Sequence, residues 1–138
     1  THAHRDHVNA KPVFKRLFPE ASFLDYYSFN NLSSIPPQNF GPFRIQPCLA
    51  PGHSPDHVVY RVSGFRDNPN YALIVGDCLF SGSLGYPFYD RERLLETLKK
   101  QILCLPPNTL LCPGHGPLSM LQEELNHNPF TSNRLLKF

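Results

Sequence analysis

Apolar residues recur at helical spacing in only a few short windows and alternate or run unbroken in several others, so the pattern predicts many short elements. In Pro12-Val13-Phe14-Lys15-Arg16-Leu17-Phe18 the residues Val13, Phe14, Leu17 and Phe18 share one face, and Pro12 suits a first turn. A short helix ending before Pro19 follows. Residues 21–43 mix Tyr26, Tyr27 and Phe29 with Ser, Asn and Pro, which reads as a strand and then a loop. Phe43 to Leu49 reads as a strand running into Ala50-Pro51-Gly52-His53-Ser54-Pro55. His57 to Ser63 alternates and is β-branched, Tyr71 to Val75 is a short apolar run, and Asp67-Asn68-Pro69-Asn70 between them is turn chemistry. This pair predicts a hairpin feeding Gly76-Asp77. Asp90 is expected to cap a helix with Leu94, Leu95, Leu98 and Ile102 on its apolar face, Glu92 early and Lys99 and Lys100 late, as the helix dipole favours. Thr109 to Cys112 is a buried-type strand ending in Pro113-Gly114-His115-Gly116-Pro117. Ser119 with Gln122 predicts a capping box for a last helix through about Leu125, stopped by Asn128-Pro129. Strands in the middle and helices at both ends imply an α+β domain, a mixed sheet covered by helices.

A length of 138 residues fits one domain, and a hydrophobic share of 41% against 17% charged predicts a well-buried, folded chain. No apolar run approaches the roughly 18 residues of a membrane span, and the first residues lack the pattern of a secretory leader. The net charge of +2 is scattered, so no electrostatic footprint for nucleic acid is visible. Cys48, Cys78, Cys104 and Cys112 have no C-x-x-C spacing, which predicts reduced thiols and a cytoplasmic or organellar-matrix setting rather than a secreted one.

The candidate chemistry is concentrated in Thr1-His2-Ala3-His4-Arg5-Asp6-His7, where four metal-competent side chains fall in six positions. Along an extended backbone residues two apart point the same way, so His2 and His4 can grip one ion while Asp6 and His7, beyond a bend, face a second. Two pentapeptides, Pro51-Gly52-His53-Ser54-Pro55 and Pro113-Gly114-His115-Gly116-Pro117, each follow an expected strand and present one imidazole from a rigid turn. Asp77 occupies a third such turn. The reading assigns His2, His4 and His53 to one metal, and Asp6, His7 and His115 to the other, with Asp77 and a hydroxide between them. Neutral nitrogen and carboxylate donors suit two divalent cations, zinc first, with iron or manganese also compatible. Two cations sharing a water bring its pKa towards neutrality, which is hydrolytic chemistry.

The H-A-H-R-D-H opening, P-G-H, G-D-C-L-F-S-G-S-L-G and P-G-H-G-P, in this order, resemble the metallo-β-lactamase superfamily, and most its glyoxalase II (hydroxyacylglutathione hydrolase) branch. Glu123 to Phe130 also resembles the end of short, bacterial-type members. The resemblance implies an αββα sandwich with metals at one edge of the sheets, and a hydrolase in which the bridging hydroxide cleaves a small acyl-thioester. It makes residues 1–138 the C-terminal two-thirds of one domain whose first strands are missing, so the upstream segment is an expected partner and the chain alone is expected to expose a sheet edge and an apolar face and to be unstable or inactive. Tyr86 stands where glutathione-specific members carry a basic residue, Pro117 stands where they carry a tyrosine, and their C-terminal helical domain is absent, which argues against glutathione itself. Two alternatives share the scaffold: a mononuclear-iron persulfide dioxygenase, and an inactive metal-binding fragment.

Other residues carry open readings. His57 can orient a ligand as an outer donor or be a packed strand residue. Tyr86, Phe88 and Tyr89 can line a substrate pocket or belong to the core. Cys78, one residue from Asp77, is expected in the core because adjacent strand residues face opposite sides. Arg5 is expected in a structural salt bridge, and His127 on solvent.

Overall fold

The computed structural model describes residues 1–29, 35–64 and 71–131. The chain opens extended, then makes a single helical turn α1 (Arg5–Val8) and a short helix α2 (Lys11–Leu17). Strands β1 (Gln38–Phe40), β2 (Phe43–Leu49), β3 (Val58–Ser63) and β4 (Ala72–Gly76) follow, then the hairpin β5 (Leu79–Phe80) and β6 (Ser83–Leu84). Helix α3 (Arg91–Thr97), strands β7 (Leu110–Pro113) and β8 (Ser119–Met120), and helix α4 (Leu121–His127) complete the order. Six strands form one sheet in the order β1-β2-β3-β4-β7-β8, and β5-β6 pair separately. Among the described residues only β4 and β7 are parallel, and the crossover between them carries the hairpin and α3.

The expected β2, β3 and β4 form where the apolar pattern puts them. In β4 the alternation decides the faces: Leu73 and Val75 are fully buried whereas Ile74 is 40% exposed. Leu73, Val75, Val59 and Leu111 of the sheet join Leu94, Leu98, Ile102 and Leu121 of the helical segments in one core. Asp90 caps α3 as its sequence position demands, accepting from the Arg93 N–H at 3.0 Å. Past Thr97 the helix widens into a π turn, Leu98–Ile102, and Leu98 and Ile102 still reach the core.

Several expectations are corrected. Residues 21–43 do not open with a strand: Asp25 accepts from the Tyr27 N–H at 3.1 Å and starts a 3-10 turn, Tyr26–Ser28, and among the described residues of this stretch the strand is Gln38–Phe40. Ser119 does not cap α4, because it pairs with Leu111 in β8; the cap is Met120, whose N–H donates to the Glu123 carboxylate at 3.2 Å. Cys78 lies in the core, but in a turn, not a strand. The proposed Asp67–Asn70 turn lies outside the described residues. Helix α2 buries none of its residues, and Val13, Phe14, Leu17 and Phe18 are 45–62% exposed. No helix among the described residues is long and apolar enough to cross a membrane.

Candidate metal centre

Strand direction explains why residues far apart in sequence meet. Strand β2 is antiparallel to β3, β3 to β4, and β4 runs parallel to β7, so β2, β4 and β7 point the same way. His53, Asp77 and His115 each follow the end of one of these strands and therefore gather at one edge of the sheet. The opening segment is tied to the same edge: Val58 donates its N–H to the Thr1 carbonyl at 2.8 Å, and Ala3 donates to the Asp56 carboxylate at 2.8 Å. Asp56 was not legible as a site residue; its place two residues before β3, in the loop after His53, is the only hint. His7 donates its N–H to the His4 carbonyl at 2.9 Å, which is the bend that separates His2 and His4 from Asp6 and His7.

At the end of β4 the register against β7 shifts between Ile74 and Gly76, and Gly76 adopts φ 53°. Such a bulge turns the chain out of the ladder and re-aims the next side chain. A Cβ at Gly76 would come within 2.7 Å of both His57 Nε2 and Thr1 Cβ, so the position requires glycine for space as well as for conformation.

All seven candidate ligands converge. His2 Nε2 and His4 Nδ1 are 2.9 Å apart, and His53 Nε2 is 3.0 Å from the same His4 nitrogen. Asp77 lies between the two halves. Its Oδ1 faces His7 Nε2 at 3.3 Å, and its Oδ2 faces His53 Nε2 at 3.6 Å and His115 Nε2 at 3.5 Å. Asp6 meets His115 at 3.0 Å and His7 at 3.6 Å. Three sets have donor atoms mutually within 4.8 Å: His2, His4 and His53; His2, His7 and Asp77; and Asp6, His7 and His115.

The chemistry of these donors fits metal ions. His53 Nδ1 lies 2.7 Å from the Tyr86 carbonyl, which can only accept, so the proton is on Nδ1 and Nε2 turns a lone pair inward. That lone pair and His2 Nε2 both face His4 Nδ1, so three imidazole nitrogens crowd one point. Among the described residues, His7 Nε2 and Asp77 Oδ1 are buried with no hydrogen-bond partner. Buried polar atoms left unpaired are costly, and a shared cation would relieve them. Burial pushes His2 down to about 3, with His7, His53 and His4 adding repulsion, and it lowers His53 as well. Both rings are therefore neutral at pH 7, the form that ligates. For Asp6 desolvation is the largest single influence and raises the carboxyl, but its backbone hydrogen bond, His7 and His115 together outweigh it, and the carboxyl is lowered. A Cβ at Gly114 would strike the Asp77 carboxylate and approach His7 Cε1 to 2.7 Å, so the glycine of P-G-H-G-P leaves room for that carboxylate.

Around the centre, Phe88 sets its ring edge against His4 and His53 at 5.7 and 5.5 Å, and Tyr86 packs on Phe88 at 4.7 Å. Tyr86, Phe88 and Tyr89 are 51–68% exposed, so none belongs to the core. Tyr86 contributes a backbone carbonyl rather than its phenol, and Tyr89 donates its N–H to Gly52 O. Phe80, 6.0 Å from His115, was not anticipated. A cleft of about 520 Å³ reaches His2 and His7 from the side of α2 and is lined by Phe14, Phe23, Tyr26 and Tyr60. Arg5 corrects its expectation: it is exposed in α1 and forms no ion pair among the described residues, because the chain has already left the extended alternation. His127 is exposed, as expected.

No family model matches the chain. The probable metallo-hydrolase YqgX of Bacillus subtilis is 37% identical over 95 residues, which cover 67% of this chain and 43% of the relative. Hydroxyacylglutathione hydrolase GloC of Haemophilus influenzae is 26% identical over 165 residues, covering 97% of this chain and 74% of that protein. The crystal structure of TTHA1623 in a di-iron-bound form superposes with a TM-score of 0.70 at 31% identity, covering 94% of this chain and 74% of the other. That of BLEG-1 B3 metallo-β-lactamase gives 0.63 at 29% identity, covering 95% and 63%. The chain belongs to the metallo-β-lactamase superfamily. Within the superfamily it falls in the glyoxalase II-like branch, and its α+β fold is the metallo-β-lactamase fold. This superfamily member spans less than half the length of YqgX.

Proposed function

We propose that this chain carries the active site of a binuclear-metal hydrolase of glyoxalase II type, cleaving a small acyl-thioester. The observation that carries the reading is Asp77: one oxygen faces His7, the other faces His53 and His115, and Oδ1 lacks any other partner. A carboxylate so divided suits a bridge. His2, His4 and His53 would hold one cation, and Asp6, His7 and His115 the second, with zinc the first candidate and iron or manganese compatible with the same donors. When bound, two such cations supply Lewis acidity to the thioester carbonyl and acidify a shared water.

The chain's own residues set the geometry for that chemistry. The Tyr86 carbonyl fixes the tautomer of His53, and the Phe88 ring packs near-perpendicular to the His4 and His53 rings. Asp6 is ionised at neutral pH and lies 3.0 Å from His115, so it would offer the second cation a charged oxygen beside that ring. With Tyr86 and Pro117 at positions that bear on glutathione, the reading extends to small thioesters and not to that carrier in particular.

The test is metal analysis with a thiol-release assay on small acyl-thioesters. Two divalent ions per chain and turnover that is lost in Asp77→Ala support the proposal. One iron with oxygen uptake would establish the persulfide dioxygenase alternative, and tight metal binding without turnover the inactive metal-binding one.

A further inference from the structure

Behind the ligand cluster lies a histidine that none of the roles above uses. His57 is fully buried, at 0% exposed. Its ring stacks on His2 with centroids 4.8 Å apart and planes 23° from parallel, and it meets His53 edge-on at 6.0 Å. It belongs to none of the three donor sets. Its Nε2 lies 3.2 Å from the backbone N–H of Asp77. An amide N–H only donates, so Nε2 must hold a lone pair, and a ring with one proton carries it on Nδ1. That nitrogen faces Cys78 Sγ at 3.5 Å, and the thiol lies 4.0 Å from the Ala50 carbonyl. Donors and acceptors are consistent along the whole line: amide to His57, His57 to thiol, thiol to carbonyl.

The amide being held is that of the residue just past the bulge, where the ladder no longer fixes the backbone. Gly76 lets the ring come close enough, since a Cβ there would lie 2.7 Å from Nε2. We infer that His57, as the Nδ1–H tautomer, is a positioning residue for Asp77, anchoring its backbone and serving as the plate against which His2 is oriented. The inference rests on the ligand roles proposed for Asp77 and His2. It gives His57 the part of an acceptor, whereas the residues that commonly orient metal ligands do so by accepting from a ligand's ring N–H; here the ligand's main chain is what is gripped.

Two variants separate this role from packing. His57→Phe keeps a flat ring against His2 and deletes the acceptor, whereas His57→Gln offers an amide oxygen where Nε2 stood. Zinc affinity of the whole chain is measured by competition with a chromophoric chelator, and melting of the chelated proteins is followed by circular dichroism. The expected result is a loss of about 10–100-fold in affinity for His57→Phe, with most of it recovered in His57→Gln. Equal affinities in wild type and His57→Phe, or equal losses in both variants, would overturn the inference. Long-range ¹H–¹⁵N correlations on the wild-type chain read the His57 tautomer directly, with and without zinc. A proton on Nδ1 is expected; a proton on Nε2 overturns the inference, and this readout decides it should the Phe variant not fold. If the wild type binds no zinc, the ligand assignment fails, while the tautomer still reports whether His57 holds the Asp77 amide.

Discussion

Lowering the pH of the metal-free protein from 7 to 5 should cost it a large part of its stability. His57 is pushed down to about 2 by burial, with further repulsion from His2 and His53, and burial holds His2 at about 3. Both rings stay neutral in the folded state across this window, whereas in the unfolded chain they titrate near their ordinary value of about 6.5. The unfolded state therefore binds more protons, and stability falls as pH drops below about 6.5. Because both folded values lie well below 5, the magnitude is set by the unfolded pKa: about 2 kcal/mol per histidine between pH 7 and 5, or about 4 kcal/mol for the pair. His53 is lowered too and acts in the same direction. Asp6, whose folded pKa is depressed, stabilises above the unfolded carboxyl value and loses that contribution only near pH 4 and below, outside the window. Against a typical total of about 5–15 kcal/mol, a 4 kcal/mol loss is severe. Urea unfolding of the chelated chain at both pH values measures it, and with a slope of about 1–2 kcal/mol/M the midpoint should fall by roughly 2–4 M. His57→Phe should show about half the pH dependence. A midpoint unchanged between pH 7 and 5 would refute the buried neutral imidazoles.

Three further outcomes follow from single contacts. Leu98→Ala, which empties a fully buried core position between α3 and the sheet, should destabilise the chain by about 2–5 kcal/mol in urea titration. Gly114→Ala should leave circular dichroism of the metal-free chain near that of wild type while reducing bound metal, measured by mass spectrometry, because the added methyl strikes the Asp77 carboxylate and crowds His7. Asn128→Ala strips hydrogen bonds from the Phe80 and Ser83 carbonyls and from Glu124, and should cost about 1–3 kcal/mol in thermal melting.

What was legible in the sequence was local or periodic. The apolar alternation of Val58 to Ser63, the cap at Asp90 and the two P-G-H turns each contain their own cause within a few residues, and each is found where expected. What was not legible depends on partners distant in the chain. Ser119 has the sequence of a cap, but it lies across from Leu111 and the ladder claims it, which shifts the cap to Met120. Asp25 sets the 3-10 turn while pairing with Lys11 at 3.1 Å, fourteen residues earlier, and no window over residues 21–43 reveals that. The candidate site divides in the same way. Residue type and order single out His2, His4, Asp6, His7, His53, Asp77 and His115, and strand direction explains their meeting. The supporting groups are invisible to such reasoning because they act through the backbone: the Tyr86 carbonyl on His53, and the Asp77 amide on His57.

The same dependence on main-chain groups accounts for a buried carboxylate that belongs to none of the three donor sets. Glu124, 3% exposed, accepts from the Gly82 N–H at 2.9 Å and from Asn128 Nδ2 at 2.7 Å, and Asn128 also donates to the Phe80 and Ser83 carbonyls. All three of those backbone partners lie in the β5–β6 hairpin. A two-stranded hairpin is marginal alone, so α4 holds it in place through this network. The hairpin's two ends are Asp77-Cys78 and Gly85-Tyr86, joined by the Gly85 N–H to the Cys78 carbonyl at 3.4 Å. One end supplies the Asp77 carboxylate and the other the carbonyl that orients His53. The clamp at Glu124 and Asn128 thus bears on both halves of the centre at once, and a chain that bends so often between short elements needs such a tie to keep its ligand loops in register.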